Sequence, residues 1–425
     1  MTTTSAADLA VPLAAYARRV HAAAGDDQHV ASPLGAWLLL ALCGPACTGA
    51  IRSELALVLG CEIETAAQTA AALLSRPHPL VAAAAAAWHR PHARTEALSG
   101  WQAGLPPAVE TGELRDQAYL DDWARRHTLG MIRRFPIELT PQIELLLATA
   151  LATRVSWAQP FDLVPAGELG PASPWAARLG RVLRSPVRRS QGHRQFIAVT
   201  RAGDVAVHTA TARGGLLVTS VAAAPDVPAA DVLAIAYDLA VAVAIEEPVA
   251  RRSLFDLPLG DGPLWTLAEQ PAASARGREE RCTAVLPAWS ADSTIDLTAA
   301  GLGFDVAAAA LARLLEIQRF LFAAKQACLA RYSRTGFEAA AVTALAAGPL
   351  SMRAGPKGVI RIATLRFGHP FAVVAVAADD GQPGDDGQPG HDGQPGHDRC
   401  GRPGPWHGMP VFSAWVTSPE EAVED

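Results

Sequence analysis

The chain has 425 residues, is 50% hydrophobic and carries a net charge of −6. That is ample apolar material for a sizeable buried core, with length alone a soft prior for two or three domains. The modest negative balance argues against a nucleic-acid surface.

Residues 8–24 read as a first helix, broken by Gly25-Asp26-Asp27. Met1 to Ala14 has no basic n-region and no long apolar core, so it does not resemble a signal peptide. A soluble, cytoplasmic protein in a reducing compartment is expected. His29 to Leu34 leads into a buried helix from Gly35 to Leu42. The apolar run Trp37 to Cys43 is too short to span a bilayer, so no membrane partner is expected. Alanine-rich helical segments are expected up to about residue 90.

His89 and His92, three residues apart, would share a helical face. Pro91 between them and the lack of an adjacent acid favour surface histidines over a zinc site. Leu120 to Ile132 is amphipathic, with Gly130 as its stop. Glu144 to Val155 is a nearly continuous apolar run with threonines, suited to a central strand covered on both faces.

Residues 165–235 are poor in helical periodicity and hold β-like runs at Leu216 to Val221 and Val232 to Tyr237. Arg281 to Leu286 reads as a strand stopped by Pro287. Leu311 to Ala330 is mostly apolar, and its period leaves helix and strand both open. Strands follow near Val359 to Arg366, Phe371 to Val376 and Val411 to Val416. Between the last two, Asp379 to Asp398 repeats Asp-Asp-Gly-Gln-Pro-Gly or His-Asp-Gly-Gln-Pro-Gly. Such a composition buries too little apolar area to offset ordering entropy, so it reads as a flexible surface insertion in a hairpin. His391, His397 and His407 then lack a rigid frame for a metal.

Cysteines at 43, 47, 61, 282, 328 and 400 form no CxxC pair and read as free thiols. Ser32, Ser156 and Ser351 sit in no Gly-x-Ser-x-Gly elbow, and neither a phosphate-binding loop nor H-E-x-x-H occurs. No enzyme and no cofactor are expected. Helices and strands mix without strict βαβ alternation, which indicates an α+β fold.

The most distinctive stretch runs from Gly336 to Ser351. It is small-sided, almost uncharged, and has no apolar stripe of helical spacing. Gly336 before it and Gly348-Pro349 after it argue against a plain alanine helix. A glycine, Glu338, an alanine run, Thr343 and then Pro349-Leu350-Ser351 resemble the reactive-centre loop of a serpin. Other elements are similar to that family in the same order. They are Ser32-Pro33 within Gln28 to Gly35, Glu54-Leu55 with Leu59-Gly60, and Thr128, Gly130 and Ile132. Trp157, Pro160 and Phe161 follow, then Leu286-Pro287-Ala288-Trp289, Leu302-Gly303-Phe304 and His369-Pro370-Phe371. The resemblance spans roughly residues 8–160 and 280–420 and is weak over 165–280.

The resemblance implies one serpin-like domain over residues 1–425, with three β-sheets, about eight or nine helices and an exposed reactive-centre loop at 336–356. It implies a monomeric suicide-substrate inhibitor of a chymotrypsin- or elastase-like serine protease. The bond between Leu350 and Ser351 would be cut, with Arg353 as a lesser site. The hinge would be Gly336, Phe337, Glu338, Ala339, Ala340, Ala341, Val342 and Thr343, and it would enter the main sheet as a new strand. Ser32, Thr149, Trp157 and Gln326 would form the region where that sheet opens. In the family, a serine usually stands at Gly35, an asparagine at Thr149 and a histidine at Gln326. Phe337 replaces a small hydroxyl residue, and overpacking there would cost on the order of 1–3 kcal/mol. That cost favours an alternative: a non-inhibitory serpin acting as a binding or chaperone-like protein.

Overall fold

A computed structural model describes residues 6–186, 192–273, 277–317, 322–337, 357–378 and 404–424. The first half of the chain contributes α1 (Ala6–Ala24), β1 (His29–Ala31), α2 (Pro33–Cys43), α3 (Gly49–Leu59) and α4 (Ile63–Ser75). It continues with β2 (Ala82–His89), α5 (Glu96–Ala103), β3 (Val109–Glu113), α6 (Gln117–His127), β4 (Leu145–Ala152) and β5 (Val155–Ser156). Then come β6 (Asp162–Pro165), β7 (Arg181–Arg184), β8 (His193–Thr200), β9 (Gly203–Thr211), β10 (Leu216–Ala222) and α7 (Ala229–Ala244). The last part holds β11 (Gly260–Asp261), β12 (Trp265–Ala273), β13 (Arg278–Leu286), β14 (Trp289–Asp296), α8 (Phe304–Leu314) and β15 (Lys325–Tyr332). It closes with β16 (Gly336–Phe337), β17 (Lys357–Arg366), β18 (Phe371–Ala377) and β19 (Met409–Val416).

Local chemistry explains the central helix. The Ser32 hydroxyl caps the Gly35 N–H, and Pro33 occupies the first turn, where its missing N–H costs nothing. All of α2 except Leu39 is buried, so the helix is apolar all round. Helix α3 stops at Gly60, whose φ is +71° and where a Cβ would stand 2.9 Å from the Pro12 Cβ. Only glycine satisfies both conditions.

Three expectations change. Residues 82–87 are alanines but form strand β2, not helix, because β2 is paired on both sides, parallel to β3 and antiparallel to β4. That ladder overrides alanine's helix preference. Val232 to Tyr237 lies inside α7, a helix too uniformly buried to show a period. Helix α6 ends at His127; Gly130, at a φ of +79°, belongs to the turn that follows. The ambiguous run after Leu311 resolves into the end of α8 and then β15.

The first sheet has the order β1-β19-β18-β10-β9-β8, and the second β11-β12-β17-β13-β7-β6. Two smaller sheets, β14-β15-β16-β5 and β3-β2-β4, are halves of one layer. Strand β5 continues the run of β4 after Thr153-Arg154, so among the described residues the halves join only at that end. Helices α1 and α7 cover the first sheet, and α2 lies beneath the parted layer, against β4, β19 and α4. Trp123 and Phe135 pack with Trp88 on the other face of β2 and β4. Among the described residues no single helix is long and apolar enough to cross a membrane.

Candidate functional site

Strands β4 and β15 run in the same direction, because β16 is antiparallel to both β15 and β5. Each is paired on its outer side, β4 with β2 and β15 with β14. Between them, among the described residues, only the two residues of β16 make a ladder. Below β16 no described strand pairs with the facing edges of β4 and β15. Two cavities of about 70 and 100 Å³ share Leu39, Ile137, Leu147, Leu297 and Lys325, so they are parts of one slot.

The floor of the slot is polar at one level. Ser32 Oγ donates to the Val411 carbonyl at 2.8 Å. Gln326 holds the Ser32 backbone from both sides, accepting from its N–H at 2.9 Å and donating to its carbonyl at 2.8 Å. Thr149 Oγ1 donates to the Gly35 carbonyl at 2.8 Å. Ser32, Thr149 and Gln326 therefore meet around the first turn of α2. Gly35 completes the group by size: a Cβ there would lie 3.2 Å from Leu151 Cδ1 and 3.3 Å from Ser32 Oγ.

Trp157 sits higher, directly after β5. Its Nε1 donates to the Ser333 carbonyl at 3.0 Å, and its backbone N–H to the Thr335 carbonyl at 2.9 Å. It thus pins the turn that delivers Gly336 and Phe337. Its ring lies 5.0 Å from Tyr332, which stacks on Trp289 at 6.0 Å.

Phe337 is 4% exposed, with its ring edge-on to Trp289 at 6.3 Å. The ring is thus housed in an aromatic cluster and does not strain a slot shaped for a hydroxyl. Its backbone pairs with Tyr332 on one side and Val155 on the other. Phe337→Ala is expected to destabilise the uncut protein by about 3–4 kcal/mol, as a buried ring is replaced by a void. A lower urea midpoint with an unchanged m-value would report it.

Glu338, Ala339, Ala340, Ala341, Val342, Thr343, Leu350, Ser351 and Arg353 lie outside the described residues, as does the 379–398 repeat. His89 and His92 do not share a helical face. His89 closes β2 and is buried, whereas His92 stands in a turn and meets Glu144 at 2.8 Å. Among the described residues no group of three or more His, Cys, Asp or Glu could hold a metal ion, and five cysteines are free thiols. Burial pushes the Cys328 thiol, in the wall of the slot, up to about 12, so it is inert at neutral pH.

One buried feature near the hinge leaves almost no trace in the sequence. His193 Nδ1 and His208 Nε2 are 3.1 Å apart on β8 and β9, and both rings lie against Phe161. Burial drives both pKa values down, and keeps both rings neutral. The one available signal is His208, which with Thr209 interrupts the otherwise apolar run Val205 to Ala210.

No protein-family model and no curated protein sequence matches the chain. Solved structures do. Serpin48 of the insect Tenebrio molitor matches at a TM-score of 0.62 and 13% identity, over 99% of this chain and 100% of that one. Native tengpin, a thermophilic serpin, matches at 0.64 and 11%, over 98% and 96%. Human thyroxine-binding globulin complexed with thyroxine matches at 0.59 and 12%, over 97% and 98%. The chain has the serpin fold, in a highly divergent sequence.

Proposed function

We propose that this protein is a suicide-substrate inhibitor of serine proteases. The observation that carries the reading is the slot between β4 and β15, which no other described strand fills and which Gly336-Phe337 head. Serpin loop insertion is itself a standard case of strand addition to a sheet. In this chain the strand register supports it.

Phe337 is opposite Tyr332 and Val155. Continued one residue at a time in a cleaved chain, that pairing sets Glu338 between Arg331 and Arg154, both exposed. It sets Ala341 between Cys328 and Leu151. It sets Thr343 between Gln326 and Thr149, the polar level of the floor. The carboxylate thus meets two guanidinium groups in water, and the hydroxyl meets two hydrogen-bonding side chains inside. The inward set is Phe337, Ala339, Ala341, Thr343, Leu345 and Ala347, mostly small, which suits rapid entry.

After attack at the Leu350–Ser351 bond, residues 338–350 form a strand of roughly 45 Å. The acyl-linked protease moves with Leu350 toward the far end of the slot. Leu350 suits an apolar specificity pocket, so the target class is chymotrypsin- or elastase-like. The inhibitor would act as a monomer in a reducing compartment; free thiols support the latter.

Titration with chymotrypsin, elastase, subtilisin and trypsin tests this. A complex that survives denaturation is expected, with the cut after Leu350 located by mass spectrometry. About a dozen new backbone hydrogen bonds, each worth on the order of 1 kcal/mol net, should raise the melting temperature of the cut protein. The rise should be on the order of 10–20 °C. Clipped protein with no adduct would favour the non-inhibitory alternative, and no rise in stability would refute insertion.

A further inference from the structure

Strand β17 starts at Lys357 and is an interior strand. Its residues pair antiparallel with β12, from Ala273↔Lys357 to Trp265↔Leu365. They also pair in parallel with β13, from Arg278↔Val359 to Val285↔Arg366. Side chains reinforce the β12 side. Arg361 Nε meets Glu269 at 2.9 Å, and Arg366 Nη2 meets Asp261 of β11 at 2.7 Å. Leu267, Ala363 and Leu365 are buried.

This placement bears on the uncut chain, and its significance rests on the proposed loop insertion. An intact loop that ran down the slot to Leu350 would cover roughly 45 Å. Only residues 351–356 would remain to return to Lys357, and six residues reach at most about 20 Å. Entry without cleavage therefore needs β17 to peel away from Lys357 onward. Were β17 an edge strand, peeling would break one ladder. With β12 present it must break two.

We propose that the β11–β12 hairpin is a clamp on β17 that blocks insertion of the uncut loop and makes relaxation depend on proteolysis. Its test compares the wild-type full chain with two variants. Ala268→Pro removes a backbone donor that faces Ile362 of β17, because the bond from the Arg366 N–H to the Leu264 carbonyl sets the even-numbered residues of β12 toward β17. Asp261→Ala with Glu269→Ala removes only the side-chain ties and leaves the ladder intact, which keeps the test valid should the proline variant fail to fold. Each uncut protein is incubated some 10 °C below its own transition. Samples are then melted again, run on a denaturing gel and challenged with protease.

Wild type is expected to stay cleavable. The variants are expected to turn into an intact, uncleavable, high-melting form, roughly tenfold faster for about 1.4 kcal/mol removed from the barrier. Equal conversion rates in wild type and variants, with all of them gaining stability on cutting, would overturn the clamp alone. No gain on cutting in any of them would overturn loop insertion, and the clamp with it.

Discussion

If the protein inhibits by loop insertion as proposed, Thr343→Arg is expected to turn it into a substrate. The proposed register, continued from Phe337, would carry residue 343 inward, between Thr149 and Gln326 and above the Ser32 cluster. Among the described residues lining that part of the slot there is no carboxylate. A guanidinium forced into it would be a buried, unpaired charge, costing several kcal/mol. If about 4 kcal/mol of that falls on the insertion barrier, entry slows roughly a thousandfold. Deacylation then wins. The denaturation-resistant complex should vanish, cut protein should accumulate, and cutting should no longer raise the melting temperature. Glu338→Gln is the control. Its neighbours in the same register, Arg154 and Arg331, are exposed, so the loss should stay within about 1 kcal/mol. If Thr343→Arg formed complexes as well as wild type, the proposed register would be wrong.

Acid should destabilise the native protein steeply below pH 6.5, because several histidines are buried neutral. Tyr237, Ser413, His21 and His29 form one chain of hydrogen bonds, each contact 2.7 Å long, ending where His29 Nδ1 donates to the Asp27 carbonyl at 2.8 Å. Since that carbonyl only accepts, donors and acceptors alternate along the chain with both rings neutral. Burial, and then the neighbouring His29, pushes His21 down to about 3. Burial likewise lowers His29, His193 and His208. In each case the unfolded chain takes up its proton first, near pH 6.5. The stabilisation is therefore complete above that pH and drains away as the pH falls toward the lowered folded value. For His21 the loss is about 1.4 kcal/mol per pH unit, or about 2 kcal/mol between pH 6.5 and 5. Guanidinium unfolding at pH 7.5 and pH 5.0 should show it, and His208→Gln should flatten the slope. Equal stability at both pH values would mean that the rings are protonated in the fold.

The legible parts of the sequence are those whose signal is local. Ser32-Pro33 marks the start of α2, since a capping hydroxyl and a first-turn proline act within one turn. The apolar run at Glu144 predicts β4 because a strand covered on both faces must be apolar throughout. The same logic fails for α7, which is equally apolar and is a helix. Uniform burial erases the period that tells the two apart. Serine, threonine and glutamine at 32, 149 and 326 can be named from family likeness. That they meet around one helix turn cannot be read from spacings of more than a hundred residues.

Composition and short motifs were enough to set the class of fold and to single out the small-sided segment after Gly336, because such signals act over a few neighbours; the polar residues at 32, 149 and 326 came from family likeness. Only the assembled chain settled that an alanine run would be a strand, that Phe337 would find an aromatic berth, and that β17 would be enclosed on both edges. Each of these depends on which distant segment supplies the partner for an unpaired backbone edge or an apolar face, and that choice is made by all the elements at once.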